Sequence, residues 1–166
     1  MNGVTLEVSL RQQQLSLVET APAGPILLRQ YPISTALNGA GEAEGSYCTP
    51  RGAHRIAQKI GADAPLFSVF KARVPTGGIW TPQQEVDAPG CDWILSRILW
   101  LEGIEAGKNQ GGTVDSHARH IYIHGTNEEH KIGTPVSHGC IRMKNIDVVD
   151  LFERVEVGTV VNISEH

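Results

Sequence analysis

Apolar and polar residues alternate along the beginning of the chain, as they do in half-buried β-strands. From Val4 to Leu10 every second residue is apolar, and a shorter alternating piece runs through Leu15 and Leu17. The polar segment RQQQ separates the two pieces. This pattern predicts a β-hairpin or meander, and the apolar-rich residues 25–35 predict a third strand that extends it.

Further strands are predicted along the rest of the chain, between connections rich in glycine. The segment LNGAGEAEGSYCTPRG contains many turn-forming residues and predicts little regular structure. The expected strands are HRIAQKI, SRILWLEG, RHIYIHG and a closing GTVVNI. Residues 73–93 contain three prolines and are expected to be mostly irregular, which is typical of a lid over a site or of a surface loop anchored by tryptophans.

One helix is predicted near the end of the chain. Asn145 has a side chain suited to an N-cap, and the helix is expected to begin there. Apolar residues then follow at a spacing of three and should form its buried face: Ile146, Val149, Phe152 and Val155.

The length and charge of the chain limit the classes of function. Its 166 residues fit one domain, which we take to be residues 1–166. The net charge is -4 and Lys and Arg do not cluster, so the sequence indicates neither nucleic acid nor a membrane surface as a partner. The longest apolar stretch, from Trp93 to Leu101, is far shorter than the roughly 20 residues that span a bilayer. No signal peptide is recognised, so we expect a cytoplasmic protein, or one that acts outside the cytoplasm if a leader has been removed.

The three cysteines do not form a recognisable framework. Cys48, Cys91 and Cys140 are too few and too widely spaced for a disulfide scaffold or a paired Cys-x-x-Cys zinc site. We expect all three to be thiols in a reducing cytosol. The alternative, a bridge between Cys48 and Cys91, would leave Cys140 unpaired.

Histidines concentrate ahead of Cys140, and five of the seven lie in the stretch that ends with the segment SHGC. Strand alternation sends His120, Tyr122 and His124 to the face opposite the apolar residues of RHIYIHG. An imidazole can take the proton of a nearby thiol, and the thiolate is the reactive form. Cys140 and His124 are therefore candidates for a nucleophile and its base. Backbone N–H groups around Gly139 and Cys140 are candidates for stabilising an oxyanion.

Two other interpretations of these residues stay open from their spacing. A lone cysteine is more often an inert buried residue than a nucleophile. A mixed zinc site could combine His120, His124, His138 and Cys140. However, four residues of strand separate the first two rings by about 13 Å, which is too far for one ion, and the helical His-Glu-x-x-His signature is absent. We therefore predict no metal.

Two segments together resemble a known enzyme family. IYIHGT (residues 121–126) and SHGCIRM (residues 137–143) match the His-Gly and Ser-His-Gly-Cys-hydrophobic-Arg elements of the L,D-transpeptidase catalytic domain family, also called YkuD-like. TPRGAHRI, DVVDLFERV and GTVVNI extend the similarity over nearly the whole chain. His54 departs from the family, in which this position is usually aromatic.

The resemblance implies a fold and a set of residue roles. The fold is mainly β, a β-sandwich of mixed strands with short helices. Cys140 would be the nucleophile and His124 the general base, oriented by the backbone carbonyl of Gly125. His138 would support the site, and Ser137 and Gly139 would shape the turn. Arg142 would hold the loop or a substrate carboxylate, and Tyr122 would border the substrate or pack in its strand.

The resemblance also implies a substrate, the tetrapeptide stem of peptidoglycan, and no cofactor. Cys140 would form a thioester and release the terminal D-alanine, and carbapenems would acylate the same thiol. Because the sequence shows no leader or wall-binding module, we expect the thioester to be hydrolysed, as in an L,D-carboxypeptidase of cytosolic peptidoglycan recycling. The alternatives are 3-3 cross-linking or D-amino-acid exchange in the wall and, from another class, a stem-peptide-binding module without catalysis.

Overall fold

The first two strands form the hairpin that the sequence predicts. The structure is a computed structural model that describes residues 3–166. Strand β1 (Val4–Ser9) pairs antiparallel with β2 (Gln14–Glu19), and Leu6 lies opposite Leu17. Both leucines are buried, because the alternation directs one face of the hairpin into the core.

The other predicted strands are present, with shifted ends. SRILWLEG is part of a longer strand, and RHIYIHG contributes only its second half. The remaining elements are β3 (Ile26–Ser34), β4 (Gly52–Ile60), β5 (Ser68–Lys71), β6 (Val74–Ile79), α1 (Pro82–Asp87), β7 (Ile94–Gly103), β8 (Tyr122–Gly125), β9 (Ile141–Met143), α2 (Asn145–Arg154) and β10 (Val160–Ser164).

The strands form one sheet that closes on itself. Its order is β4-β10-β1-β2-β3-β9-β8-β7, and β7 pairs again with β4. The β5–β6 hairpin continues from β7 at Ile94 and Leu95. The β1–β10 and β8–β9 pairs are parallel and the other neighbours are antiparallel. The mainly β fold of mixed strands and short helices is confirmed, although the two layers of the expected sandwich belong to a single closed sheet.

The expectation of an irregular segment over residues 73–93 is wrong. Strand β6 and helix α1 lie within it, and β5, just before it, was also not predicted. Pro82 begins α1, and the Gln84 side chain accepts a hydrogen bond from the Thr81 N–H at 2.6 Å. All residues of β6 are exposed and α1 contains no buried residue, so neither element carries the apolar pattern by which strands and helices are recognised.

Helix α2 is found where the sequence predicts it, but its buried face differs. Asn145 is the first helical residue rather than the N-cap, and its buried side chain accepts from Ser96 Oγ at 2.7 Å and donates to the Thr126 carbonyl at 2.8 Å. These hydrogen bonds turn Asn145 inwards, which leaves Ile146 exposed. The buried face is instead Asn145, Val148, Leu151, Phe152 and Val155.

The core fills the closed sheet beneath α2. Apolar side chains from both ends of the chain meet there, including Leu6, Ile33, Ile56, Leu101, Ile123, Ile141, Met143 and Val161. A smaller apolar cluster of Phe70, Ile98 and Tyr122 lies apart from it, beside β5. Within the described residues, no helix has the length and apolar character needed to cross a membrane.

Candidate active site

Strands β8 and β9 bring the two segments of the motif together. They run parallel, with His124 paired to Arg142. Side chains at paired positions of parallel strands point to the same face, and so do those two residues apart on one strand. Tyr122 and His124 therefore share a face with Cys140 and Arg142. The intervening residues Ile123, Ile141 and Met143 point into the core.

Cys140 lies in the turn before β9, and its sulfur contacts the backbone ahead of β8. The thiol donates a hydrogen bond to the His120 carbonyl at 3.3 Å, and the Tyr122 N–H donates to Sγ at 3.4 Å. Burial raises the pKa of Cys140 to about 11; the Tyr122 N–H opposes this shift and the Asp92 carboxylate adds to it. In this conformation the thiol is protonated at neutral pH, although the residue keeps partial exposure.

His124 is buried on β8, with one ring nitrogen fixed by the backbone. Nδ1 lies 2.7 Å from the carbonyl oxygen of Gly125. Because a carbonyl can only accept, Nδ1 carries the proton and the lone pair of the neutral ring is on Nε2. Burial lowers the pKa of His124, while the Asp92 charge and the Gly125 hydrogen bond raise it. Among the described residues, no hydrogen bond joins the ring to Cys140.

Gly125 occupies a position with no room for a side chain. A Cβ there would overlap Asn145 Oδ1 and would lie 2.6 Å from the Leu95 carbonyl oxygen. Asn145 is itself held by Ser96 and Thr126, so the backbone behind His124 is fixed on two sides. Neither the motif nor the strand pattern indicates that the first residue of α2 supports this strand.

The turn at residues 137–140 is closed by its own serine. Ser137 Oγ donates to the Cys140 carbonyl at 2.6 Å and accepts from the Gly139 N–H at 3.2 Å. Gly139 has φ 133°, and a Cβ there would lie 3.2 Å from the Cys48 carbonyl oxygen. The Gly139 amide, expected as an oxyanion donor, is therefore already engaged, whereas no described residue accepts a hydrogen bond from the Cys140 N–H.

The buried side chain of Arg142 connects two loops. Its Nη2 lies 3.0 Å from Asp92 Oδ1 and its Nη1 lies 3.3 Å from Glu128 Oε1, while only 3% of the side chain is exposed. Of the two sequence expectations for Arg142, the loop contact is the one formed. Asp92 and Glu128 were missed because neither belongs to a motif and Asp92 is distant along the chain.

Tyr122 is packed rather than exposed. Its ring belongs to the apolar cluster with Phe70 and Ile98, and its hydroxyl accepts a hydrogen bond from Arg73 Nη1 at 3.0 Å. The prediction that His120 continues this strand is wrong. His120 has φ 57° and ends a turn. Its carbonyl accepts a hydrogen bond from the Cys140 thiol.

His138 is the most exposed residue of the motif. Its side chain is 70% exposed, and its ring meets that of Tyr47 edge-on at 6.0 Å between centroids. Both residues line two cavities, of about 520 and about 300 Å³. A larger cavity of about 610 Å³ is bordered by Gly3 and Val160, and none of the motif residues lines it. We place the site at the smaller cavities because they adjoin the thiol turn.

A zinc site requires several ligand side chains to lie close together. The described residues contain no group of three or more His, Cys, Asp or Glu side chains arranged to hold a metal ion. Cys48, Cys91 and Cys140 are all free thiols. Nothing in the fold brings the histidines of this region into a shared ligand set with Cys140.

Sequence and structure comparisons place the chain among known proteins. The family model for the L,D-transpeptidase catalytic domain (YkuD) matches residues 3–163. The probable L,D-transpeptidase YbiS of Escherichia coli K12 is 36% identical over 104 residues, which cover 61% of this chain and 33% of YbiS. The chain thus spans about a third of the length of that curated relative.

Two solved structures share the fold at low sequence identity. Bdellovibrio bacteriovorus Bd1075 has a TM-score of 0.62 at 15% identity, covering 99% of this chain and 49% of its own. The L,D-transpeptidase LdtMt1, solved in complex with imipenem, has a TM-score of 0.56 at 16% identity, covering 98% of this chain and 59% of its own. Because the family model matches almost the entire sequence, the chain belongs to the L,D-transpeptidase catalytic domain (YkuD) family.

Proposed function

We propose that Cys140 is the nucleophile, and His124 the general base, of an acyl transfer on the tetrapeptide stems of peptidoglycan. The observation that carries this proposal is the shared face of β8 and β9, where the Gly125 carbonyl fixes Nδ1–H of His124 and leaves Nε2 as a proton acceptor on the face that Cys140 shares. Membership of the family supports the reaction class.

The first step is a reorientation of the thiol. In the free protein it donates to His120 O, so it must rotate away from this carbonyl towards His124 Nε2 before the proton can move. The thiolate then attacks the carbonyl carbon of the third stem residue. The Cys140 N–H is the motif amide available to the developing oxyanion.

Collapse of the tetrahedral intermediate breaks the bond to the terminal D-alanine. Its amine leaves with the proton held by His124, and Cys140 carries the stem as a thioester. Attack by water, with His124 again accepting a proton, returns the thiol and a tripeptide. Attack by an amine of a second stem gives a cross-link in place of the acid.

We favour hydrolysis as the outcome. Cys140 is partly exposed, which gives water access to a thioester at this position. Cross-linking is the second candidate, because the curated relative YbiS is named a probable L,D-transpeptidase. Work in cytosolic recycling, and the cytoplasmic location it requires, remain predictions that cell fractionation would test.

Incubation with a disaccharide tetrapeptide, followed by mass spectrometry, tests both reaction and outcome. We expect a disaccharide tripeptide and free D-alanine from the native protein and neither from the Cys140→Ala variant. Dimeric muropeptide without tripeptide monomer would overturn hydrolysis and support cross-linking. Binding of the tetrapeptide without turnover would instead indicate a stem-peptide-binding module.

A β-lactam tests the nucleophile independently of peptidoglycan. Exposure to imipenem should add one drug mass to the native protein, because a carbapenem carbonyl is open to the same attack. The Cys140→Ala variant should gain no mass, whereas the matched Cys91→Ala variant, which removes an exposed thiol, should still be acylated. An adduct that persists in Cys140→Ala would refute Cys140 as the nucleophile.

A further inference from the structure

Asp92 lies outside the motif but close to two of its residues, Arg142 and His138. Its Oδ1 lies 3.0 Å from Nη2 of the buried Arg142, and its Oδ2 lies 3.9 Å from Nδ1 of His138. The Asp92 side chain is 34% exposed and that of Arg142 is 3% exposed, so the carboxylate lies between the guanidinium and solvent. No sequence motif includes this aspartate.

The segment that carries Asp92 is attached mainly by polar contacts. Helix α1 buries none of its residues. Asn127, in the loop after β8, donates to Glu85 Oε2 at 2.8 Å and accepts from the Trp93 N–H at 3.3 Å. At the other end of the segment Arg73 donates to the Tyr122 hydroxyl, and Asp92 attaches the near end to Arg142.

We propose that Asp92 is a further positioning residue of this active site: its carboxylate holds the end of the segment 73–93 on Arg142 and places a negative charge beside His138 and the thiol turn. The inference rests on the assignment of Cys140 as the nucleophile. Asp92 acts through its neighbours and contacts no reacting atom.

The electrostatic environment supports this role. The Asp92 charge raises the pKa of Cys140 and that of His124, so its removal should ease proton loss from both groups. Arg142 and Arg119 act in the opposite direction on the thiol. The charged groups that act on the thiol are Asp92, Arg142 and Arg119. The titratable residues next to these groups or to the thiol backbone are Arg73, His120, Tyr122, His124, Glu128 and His138.

Alkylation of Cys140 by iodoacetamide provides the test. This small neutral reagent reacts with the thiolate, so its rate reports the thiolate fraction without any peptidoglycan substrate. The rate at Cys140 is followed from pH 7 to 10, below the pKa of about 11, by mass spectrometry of the peptide that contains it. In this range the rate rises with pH, and for Asp92→Asn we expect the whole rate profile to move to lower pH by about 0.5–1 pH unit, a roughly 3- to 10-fold faster reaction at pH 8.

Two variants distinguish the effect of the Asp92 charge from the effect of a weaker attachment of the segment 73–93. Asp92→Glu keeps the charge and should restore the native rate profile. Glu85→Gln weakens the contact with Asn127 on the same segment and should leave the profile within about 0.2 pH unit of its native position. The proposal is overturned if Asp92→Asn has the native profile, or if Glu85→Gln shifts the profile equally. Because no stem peptide is used, failure here is distinct from failure of the muropeptide assay.

Discussion

Backbone groups hold both members of the reactive pair in place. The His124 tautomer is fixed by the Gly125 carbonyl, and the Cys140 thiol is held between the His120 carbonyl and the Tyr122 N–H. A substitution that moves this backbone should therefore change the chemistry without altering any catalytic side chain. Gly125 is the position at which this dependence is sharpest.

We expect Gly125→Ala to lower the free energy of unfolding by about 1–3 kcal/mol and to reduce acylation by imipenem. The added methyl would meet Asn145 Oδ1 and the Leu95 carbonyl, and a backbone carbonyl cannot move without disturbing β7. Urea denaturation and adduct mass measure the two effects. Gly3→Ala, where a Cβ meets no atom within 4 Å, is the matched control. Equal stability of the two variants would contradict the prediction.

At the level of elements, the sequence predicted the strands and the helix that have a periodic apolar pattern. It missed features that depend on individual contacts. The β1–β2 hairpin follows from alternation alone, and α2 was placed within a residue of its start. Strand β6 and helix α1 were missed because they bury no apolar face. The predicted buried face of α2 is right at Phe152 and Val155 but wrong at Ile146, because hydrogen bonds of Asn145, which periodicity does not predict, turn Asn145 inwards instead.

The candidate site shows the same division. Cys140, His124 and Arg142 could be named from the sequence because two short motifs contain them. Their partners could not, since Asp92, just before β7, comes close to Arg142 only when β7, β8 and β9 pair. The thiol contact with His120 depends on a turn with φ 57°, which strand alternation does not predict.

Asn127 should control the mobility of helix α1. We expect Asn127→Ala to speed amide hydrogen exchange across α1 by about tenfold while global stability falls by less than about 1 kcal/mol, because the helix has polar tethers but no buried residue. Exchange followed by mass spectrometry measures this. Asn162→Ala, which removes an exposed contact with Glu7, is the control. Unchanged exchange in α1 would show that Asn127 does not hold it.

Because the sheet closes on itself, distant parts of the chain are joined and should unfold together. Strand β7 pairs with β8 on one side and with β4 on the other, so both halves of the ring meet along it. β10 likewise joins the end of the chain to β1 and β4. A group buried in β4 is therefore surrounded by residues from distant parts of the chain, and its ionisation should affect unfolding as a whole.

His54 on β4 is such a group, and it should make stability fall in mild acid. Its ring is fully buried, with Nδ1 3.0 Å from the Gly52 carbonyl and Nε2 2.8 Å from Ser116 Oγ. Burial lowers the pKa of His54 in the folded protein. The unfolded chain therefore binds a proton at a higher pH than the folded one, and unfolding becomes easier as pH falls below about 6.5.

We expect the free energy of unfolding to drop between pH 7.5 and 5, and His54→Phe to show a smaller drop. One such histidine contributes at most about 1.4 kcal/mol per pH unit, and the buried His124 should supply the remainder in the variant because burial lowers its pKa as well. Urea denaturation at each pH measures the slope, which is independent of any constant loss from leaving Ser116 without its partner. His130→Phe, at an exposed position, should keep the native slope. If His54→Phe also keeps it, the acid sensitivity arises elsewhere and His54 is not the group that links protonation to unfolding.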